Sequence, residues 1–434
     1  LRFEGVQYNC TVKLNSVILG HHIGQFEPFE YDVTELLHPA ASGQANQLEV
    51  ITHPLLDNAT EFERQVATKS SDQRDYTGQV SCWLNRHAPQ WMGRTFYGWD
   101  FVPAVYSAGI SNQVSLHTTA SLLAGELASP PPQGAPPAVL RAQALSIIPR
   151  LSPPYDSARL ELSLEVHLYG SAWAGHTSGL TVSFQIFAPT GATSPVAALT
   201  TVFNVSATAG QVQFLRTNLT VSEPALWYPN GYGAQPIYNA TAVVSGAASG
   251  SDLTELDSIS ETFGIRELTV TTNPHIATGW SYTQYGPEHT ETQPWGWGSW
   301  QATVAPPIPP NATRWQIHIN GLPVFARGGN WIPRDQLFGR GVRERSRTTK
   351  VLLAAKHAGF TWMRVWGGGL LEDQHFYREC DRLGLMLLQE FPHAGCSPGG
   401  PGDSFPNITA RLPLDDAQTR MALKQLINHP SIVR

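Results

Sequence analysis

The sequence is poor in charge and has no long apolar run. Charged residues make up 14% of its 434 residues, against roughly 25% in an average soluble protein. The net charge is −6 at pH 7, and a weakly acidic chain is not built to hold polyanions, so nucleic acids and anionic membrane surfaces are disfavoured as partners. No apolar stretch reaches the roughly 18 residues that a membrane-spanning helix needs.

Cysteine is also scarce. Cys10, Cys82, Cys380 and Cys396 have neither the density of a disulfide scaffold nor the CxxC spacing of a metal site. We therefore expect buried thiols, with at most one disulfide among them. The histidines show no ligand spacing, so neither a metal site nor a cofactor is predicted.

The chain opens at Leu1 inside a strand pattern and has no signal-like segment. We interpret this as a start downstream of the true N-terminus, so other features must indicate the compartment. Acceptor motifs of the form Asn-x-Ser/Thr are frequent, and they matter only in exported proteins. We expect a secreted or lysosomal/vacuolar protein. The acceptors are Asn9, Asn58, Asn204, Asn218, Asn239, Asn311 and Asn407.

The first two thirds of the chain follow strand patterns. From residue 1 to 117, Tyr8, Cys10, Val12 and Leu14 alternate with polar residues, and further strands are predicted at Leu48 to Ile51 and Gln113 to Leu116. A Pro-rich linker follows, and period-two runs return at 160–168 and 182–186. Two antiparallel sandwiches, 1–117 and 118–268, fit these runs. Residues 269–311 form a Gly/Pro/Trp-rich stretch that we interpret as an insertion.

Short strands alternate with helices from 312 onward. "LPVFARGGNW" is predicted to be a strand that ends in a loop, and "TWMRVW" and "LMLLQE" are the next two strands. They are followed by helices around Arg343 to His357, from Asp373 to Leu383, and from Asp415 to Asn428. The last helix is expected to bury Leu423, Leu426 and Ile427. Three such repeats in 312–434 predict the start of an α/β (β/α)8 TIM barrel, which three units leave incomplete.

Polar and aromatic side chains gather where these strands end. In such barrels the active site lies at the carboxyl ends of the strands. "RVWGGGLLED" after the second strand lacks the GxGxxG and GK[ST] patterns of phosphate loops, and the acids at its helix start would repel a phosphate. A tryptophan as the floor of a sugar site, beside glycines that let loops approach, fits better. Thirteen tryptophans are explained equally by large sandwich cores or by carbohydrate stacking.

Arg364 is the one charge in an apolar strand, and burying it unpaired would be costly. It should pair with a carboxylate. Two explanations remain open: a structural ion pair, or an arginine that keeps a functional carboxylate ionised.

These segments resemble glycoside hydrolase family 2, in particular its β-mannosidase branch. "INGLPVFARGGNWIPRD", "RVWGGG", "FYRECDRLGLMLLQEF" and "NHPSI" occur in the family's order, "LWYPNGYGAQPIYN" and "FGIREL" match its second domain, and "YGWDFVPAVYSAGI" matches the end of its first. The resemblance implies a jelly-roll galactose-binding-like sandwich, an immunoglobulin-like sandwich and a catalytic barrel. It also implies retaining hydrolysis of β-linked mannosides by two glutamates.

Both catalytic glutamates of the family would lie beyond Arg434, so this stretch by itself is expected to be inactive. The resemblance assigns substrate-binding roles to other residues, each of which has a structural alternative as a plug or a helix cap. Glu390 is among them because the family's catalytic glutamates sit elsewhere. The predicted substrate-binding residues are Asp100, Phe101, Asn330, Trp331, Asp335, Arg364, Trp366 and Glu390.

Two departures from the family pattern leave the substrate open. Phe101 of "GWDFVP" replaces the tryptophan of the usual "GWDWGP", and "QEF" replaces the "QDF" common in exo-acting members. The predicted partner is a β-mannoside-containing oligosaccharide or glycan. Related β-galactosidase, β-glucuronidase or β-glucosaminidase activity, or a non-catalytic carbohydrate-binding protein, are the alternatives.

Overall fold

A computed structural model describes thirteen parts of the chain. Within these parts, no helix is long and apolar enough to cross a membrane. The described residues are 1–53, 93, 108–117, 121–122, 138–169, 176–189, 191, 193–207, 212–247, 253–272, 315–335, 337–392 and 418–433. Several sequence predictions fall outside them. These are the roles of Asp100 and Phe101, the states of Cys82 and Cys396, the acceptors Asn58, Asn311 and Asn407, the Pro-rich linker up to residue 137, residues 273–311 of the insertion, and residues 415–417 of the last helix.

The N-terminal unit consists of short antiparallel sheets around a small core. Alternation in the sequence explains its main strand, since Cys10, Val12 and Leu14 are all buried while Lys13 is not. A turn follows this strand, with Asn15 and Ser16 at positive φ. The sheet orders are β5-β1-β8, β2-β7 and β4-β3-β6. The strands are β1 (Arg2–Phe3), β2 (Val6–Gln7), β3 (Asn9–Leu14), β4 (Val17–Ile23), β5 (Phe29–Glu30), β6 (Leu48–His53), β7 (Gly109–Ile110) and β8 (Val114–Ser115).

The second unit is a sandwich of two four-stranded antiparallel sheets, β14-β11-β10-β9 and β13-β12-β15-β16. The predicted period-two runs are confirmed, because Leu160 to Leu168 and Val182 to Ile186 turn every second side chain into one shared core. Its strands are β9 (Ser121–Leu122), β10 (Ala138–Arg150), β11 (Ser157–Tyr169), β12 (His176–Phe187), β13 (Ala197–Ala207), β14 (Val212–Ser222), β15 (Tyr238–Ala247) and β16 (Leu253–Phe263).

A small antiparallel sheet follows, made of β17 (Leu268–Thr272), β18 (Trp315–Ile319) and β19 (Leu322–Val324). Residues 269–272, which the sequence assigned to the insertion, pair with β18. The prediction that "LPVFARGGNW" is the first barrel strand followed by a loop is wrong in two respects: Leu322–Val324 pairs antiparallel with β18, and residues 328–331, expected in the loop, form a strand. The glycine-containing second half is a separate strand.

That separate strand, β20 (Gly328–Trp331), opens a parallel sheet of order β20-β21-β22 with β21 (Trp362–Val365) and β22 (Met386–Gln389). The helices between the strands are α1 (Phe338–Arg343), α2 (Arg345–His357) and α3 (Gln374–Leu383). The ends of α3 follow the sequence prediction: Asp373 caps its first turn through Phe376 N at 3.1 Å, and Gly384 ends it in the left-handed conformation. After β22, a helix described over 418–426 leads to Ile432, which bridges to Leu387 in parallel.

The burial predicted for this last helix is partly wrong. Leu426 is buried, but Leu423 and Ile427 are 49% and 39% exposed. The buried face instead carries Gln418 and Ala422, because the helix also packs on the N-terminal unit, where Gln418 donates to Glu27 at 2.5 Å. The tertiary contacts of this helix, and not its apolar stripe alone, therefore determine which face is buried.

Candidate functional site

The carboxyl ends of the three parallel strands are level. Asn330 pairs with Arg364, and Trp331, Val365 and Gln389 form the last row across the sheet. Side chains alternate between the two faces of a strand. Trp331 and Val365 therefore join the helix-facing core, while Asn330 and Arg364 point to the opposite face.

On that opposite face, Arg364 and Glu390 form a two-pronged ion pair. Arg364 Nε and Nη2 donate to the two carboxylate oxygens of Glu390 at 2.6 and 2.8 Å, and Arg364 Nη1 donates to Asn330 Oδ1 at 3.3 Å. The Gly367 N–H adds a third bond to Glu390 at 2.8 Å. The predicted pairing of Arg364 with a carboxylate is confirmed. This geometry fixes a carboxylate and an amide oxygen that can accept hydrogen bonds from hydroxyl groups.

Trp366 lies directly on the bare backbone of Gly368. A Cβ placed on Gly368 would come within 2.1 Å of Trp366 Cζ2 and 2.2 Å of Cη2, which is far inside carbon–carbon contact distance. Trp366 is half-buried and follows β21 directly, and its N–H donates to the Trp331 carbonyl at 3.1 Å. The glycine therefore allows the indole ring to lie against the backbone of the loop whose Gly367 N–H bonds Glu390.

Trp331 lies behind this face. It is only 6% exposed, its ring centroid is 4.8 Å from that of Phe376, and its Nε1 donates to Glu372 Oε1 at 2.9 Å. Burial raises the pKa of the Glu372 carboxyl to about 7, although the bond from Trp331 opposes this. Sequence reasoning noted Glu372 as an acid near a helix start but missed this role. The sequence signal that could have indicated this bond is a tryptophan at the end of one strand, Trp331, followed by an acid after the next strand, Glu372.

A second buried network holds the end of β22. The Tyr377 hydroxyl donates to Gln389 Oε1 at 2.8 Å, and Gln389 Nε2 donates to the Glu390 carbonyl at 2.7 Å. Burial raises the pKa of Tyr377 well above its ordinary value, so the phenol stays a donor at all relevant pH values. The backbone that carries Glu390 is thereby tied to α3.

Asp335 is placed apart from the other predicted residues. Its Oδ1 accepts from Leu337 N at 2.9 Å and its Oδ2 lies 3.5 Å from Arg340 Nε. It therefore stabilises the turn that precedes α1 and does not cap the helix, which was its structural alternative. The structure thus brings together Asn330, Arg364, Trp366 and Glu390, with Trp331 behind them. No group of three or more histidine, cysteine or acidic residues suited to a metal occurs in the described part of the chain.

Two family models match the chain. The model for the "Glycosyl hydrolase 2 galactose-binding domain-like" family matches residues 1–112, and the model for "Glycosyl hydrolases family 2" matches residues 143–266. Together they cover more than half of the sequence. The chain belongs to glycoside hydrolase family 2.

Curated relatives match this family 2 chain along its whole length. Beta-mannosidase B of Emericella nidulans is 25% identical over 435 residues, covering 100% of this chain and 40% of the relative. Beta-mannosidase B of Thermothelomyces thermophilus is 25% identical over 437 residues, with the same coverage. The chain therefore spans about 40% of the length of these curated relatives.

Solved structures agree with the fold. The beta-D-mannosidase from Dictyoglomus thermophilum superposes with a TM-score of 0.65 at 24% identity, covering 100% of this family 2 chain and 42% of that one. The exo-chitosanase from Amycolatopsis orientalis gives a TM-score of 0.58 at 16% identity, covering 100% and 38%. At these identities the likeness establishes the architecture and leaves the substrate open.

Proposed function

We propose that the chain is the substrate-binding part of a retaining glycoside hydrolase that acts on β-linked mannosides. One observation carries the proposal: an indole ring resting on Gly368 lies in the same strand-end cluster as the Arg364–Glu390–Asn330 hydrogen-bond set. A pyranose offers an apolar face of C–H groups and a rim of hydroxyls, so it needs both a flat ring and fixed acceptors. The similarity to beta-mannosidases over the whole chain supports mannose as the sugar.

The parallel sheet is proposed to be the beginning of a (β/α)8 barrel. Its polar row faces away from the helices, as side chains that line a barrel mouth do, and Ile432 adds a fourth parallel segment beside β22. In this arrangement the acid/base and the nucleophile come from later strands. By the family resemblance neither glutamate lies within these 434 residues, so this stretch alone is expected to turn over no substrate.

The sugar assignment is tested with the full-length protein and a panel of nitrophenyl β-glycosides. We expect the highest kcat/KM on the β-mannoside, and retention of configuration when the anomer formed first is followed by NMR. Turnover of the β-galactoside, β-glucuronide or β-glucosaminide with none of the β-mannoside would reject mannose. Sugar binding without turnover of any glycoside would instead indicate a non-catalytic carbohydrate-binding protein.

We further propose a secreted or lysosomal/vacuolar location. Among the described acceptor motifs, Asn204, Asn218 and Asn239 are exposed on β13, β14 and β15 of the second sandwich, where an oligosaccharide has room. A shift in mass on treating the protein from its native host with an N-glycanase tests the proposal. An unchanged mass would contradict it.

A further inference from the structure

Glu372 is a half-buried carboxylate that the proposed sugar binding does not use directly. It lies between β21 and α3, and its Oε1 accepts the hydrogen bond from Trp331 Nε1 at 2.9 Å. Its own N–H donates to the Tyr377 hydroxyl at 3.1 Å. The side chain is therefore tied to β20 and the main chain to α3, so Glu372 connects the two elements behind the site.

Trp331 transmits this connection to the candidate site by two routes. Its carbonyl accepts from Trp366 N at 3.1 Å, which anchors the residue that lies on Gly368. Its chain neighbour Asn330 accepts from Arg364 Nη1. A shift of the Trp331 main chain, which the bond from its indole to Glu372 opposes, would move both groups, because one bond is made by Trp331 itself and the other by its chain neighbour.

The surroundings of Glu372 are polar and cramped. Glu372 lines a cavity of about 20 Å³ with charged groups from two loops. Burial raises its pKa to about 7 and repulsion from Asp373 adds to the rise, whereas the Trp331 bond and Arg334 oppose it. A charged acceptor binds an N–H more strongly than a neutral one. The described ionisable groups around Glu372 are Arg334, Asp335, Glu344, Arg345, Asp373, Tyr377 and Cys380.

We propose that Glu372 is a positioning residue, whose carboxylate fixes the Trp331 indole and thereby the strand end that presents Asn330 and Trp366 to the sugar. Its consequence for binding rests on the proposed function. The hydrogen bond on which it depends is independent of any substrate.

The experiment compares variants of the full-length protein on nitrophenyl β-mannoside. Glu372→Leu removes the acceptor, Glu372→Gln keeps one, and Trp331→Phe removes the donor while keeping a ring. We expect Glu372→Leu to raise KM about tenfold with little change in kcat, since the buried Trp331 N–H loses its acceptor. Glu372→Gln keeps an acceptor and should stay within about twofold. Glu379→Leu is the matched control, because this acid pairs with Arg382 on α3 away from the strand ends, and KM should not change.

The double variant decides whether the effect passes through Trp331. In the Trp331→Phe background, Glu372→Leu should add less than about twofold, because the bond is already absent. An unchanged KM in Glu372→Leu, or an equal increase in both backgrounds, would overturn the proposal.

Tryptophan fluorescence separates this proposal from the function on which it rests. The emission of Trp331, obtained as the wild-type spectrum minus the Trp331→Phe spectrum, should change with pH around pH 7. The same difference measured in the Glu372→Gln background should not change with pH. If no β-mannoside is cleaved, the proposed sugar fails, yet the titration still supports the Glu372–Trp331 link. A difference spectrum that is flat with pH and insensitive to Glu372→Gln would refute the link whatever the substrate.

Discussion

Replacing Gly368 by alanine isolates the contact between ring and backbone. The new Cβ would lie 2.1, 2.2 and 2.6 Å from three atoms of the Trp366 ring. Carbon atoms in contact are roughly 3.5–4.0 Å apart, so the indole must move by more than about 1 Å. Gly368 is not among the glycines at positive φ, so the alanine backbone itself is unstrained and displacement of the ring is the main effect.

The magnitude follows from the value of an aromatic contact. Such contacts contribute about 0.5–1.5 kcal/mol beyond area burial, and about 1.4 kcal/mol corresponds to a factor of ten in affinity. Gly368→Ala should therefore raise KM for the β-mannoside about three- to tenfold in the full-length protein, while kcat changes little. Relief of the overlap should cost about 1–3 kcal/mol of stability, visible as a lower Tm.

Two controls make the result specific. Gly329→Ala adds a methyl group at a neighbouring strand end where the nearest atom is 3.8 Å away, so KM and Tm should stay near wild type. In a Trp366→Ala background, Gly368→Ala should have no further effect, because the overlapping ring is gone. A wild-type KM for Gly368→Ala, or the same increase without the tryptophan, would show that the ring does not contact the sugar.

Three further predictions use the same protein. Among the described residues, Arg364→Met leaves the Gly367 N–H as the remaining partner of the Glu390 carboxylate. Since the Arg364 and Glu390 side chains are 37% and 34% exposed, stability should fall by about 1 kcal/mol or less. KM should nevertheless rise at least tenfold, with Arg364→Lys in between. Glu372 has a folded-state pKa raised from 4.5 to about 7, so the unfolded state loses its proton first and stability is lost as pH rises through that window. The free energy of unfolding of Glu372→Gln, relative to that of wild type, should accordingly rise by up to about 3 kcal/mol from pH 4 to pH 8. The same Tm difference between variant and wild type at pH 4 and at pH 8 would contradict this. Finally, changing Asn218 to Gln should remove one glycan by mass spectrometry if the protein is exported.

The sandwich strands were predictable because their signal is local. In β11 and in residues 180–186 of β12 every second residue is apolar, and a half-buried strand requires only that period. The ends of α3 were predictable for a similar reason, since the Asp373 cap and the Gly384 stop each act within one helical turn.

Strand β20 was misassigned because long-range pairing defines it. "GGNW" has no apolar period, and its first glycine is required by the partner strand: a Cβ on Gly328 would lie 1.6 Å from the Trp362 carbonyl oxygen. Only the neighbouring chain reveals that constraint. The Glu372–Trp331 and Arg364–Glu390 bonds were equally hard to locate, because they join residues 41 and 26 positions apart. Arg364 and Glu390 were predicted as site residues from the sequence. That they bond to each other follows only from the register of β21 and β22.

The second sandwich also contributes to the geometry of the site. Arg266, just beyond its last strand, donates to the carbonyls of Pro430 and Ile432 at 2.5 Å each, and buried Asp381 of α3 accepts from the N–H and hydroxyl of Ser431 at 3.1 and 2.6 Å. These bonds hold the segment that runs parallel to β22, the strand whose last residue, Gln389, directly precedes Glu390. Parallel strands deliver their carboxyl ends to one edge. These hydrogen bonds therefore fix the position of that segment relative to β22, at the sheet edge where Glu390 lies. Through Arg266 the second sandwich thus supports the candidate site.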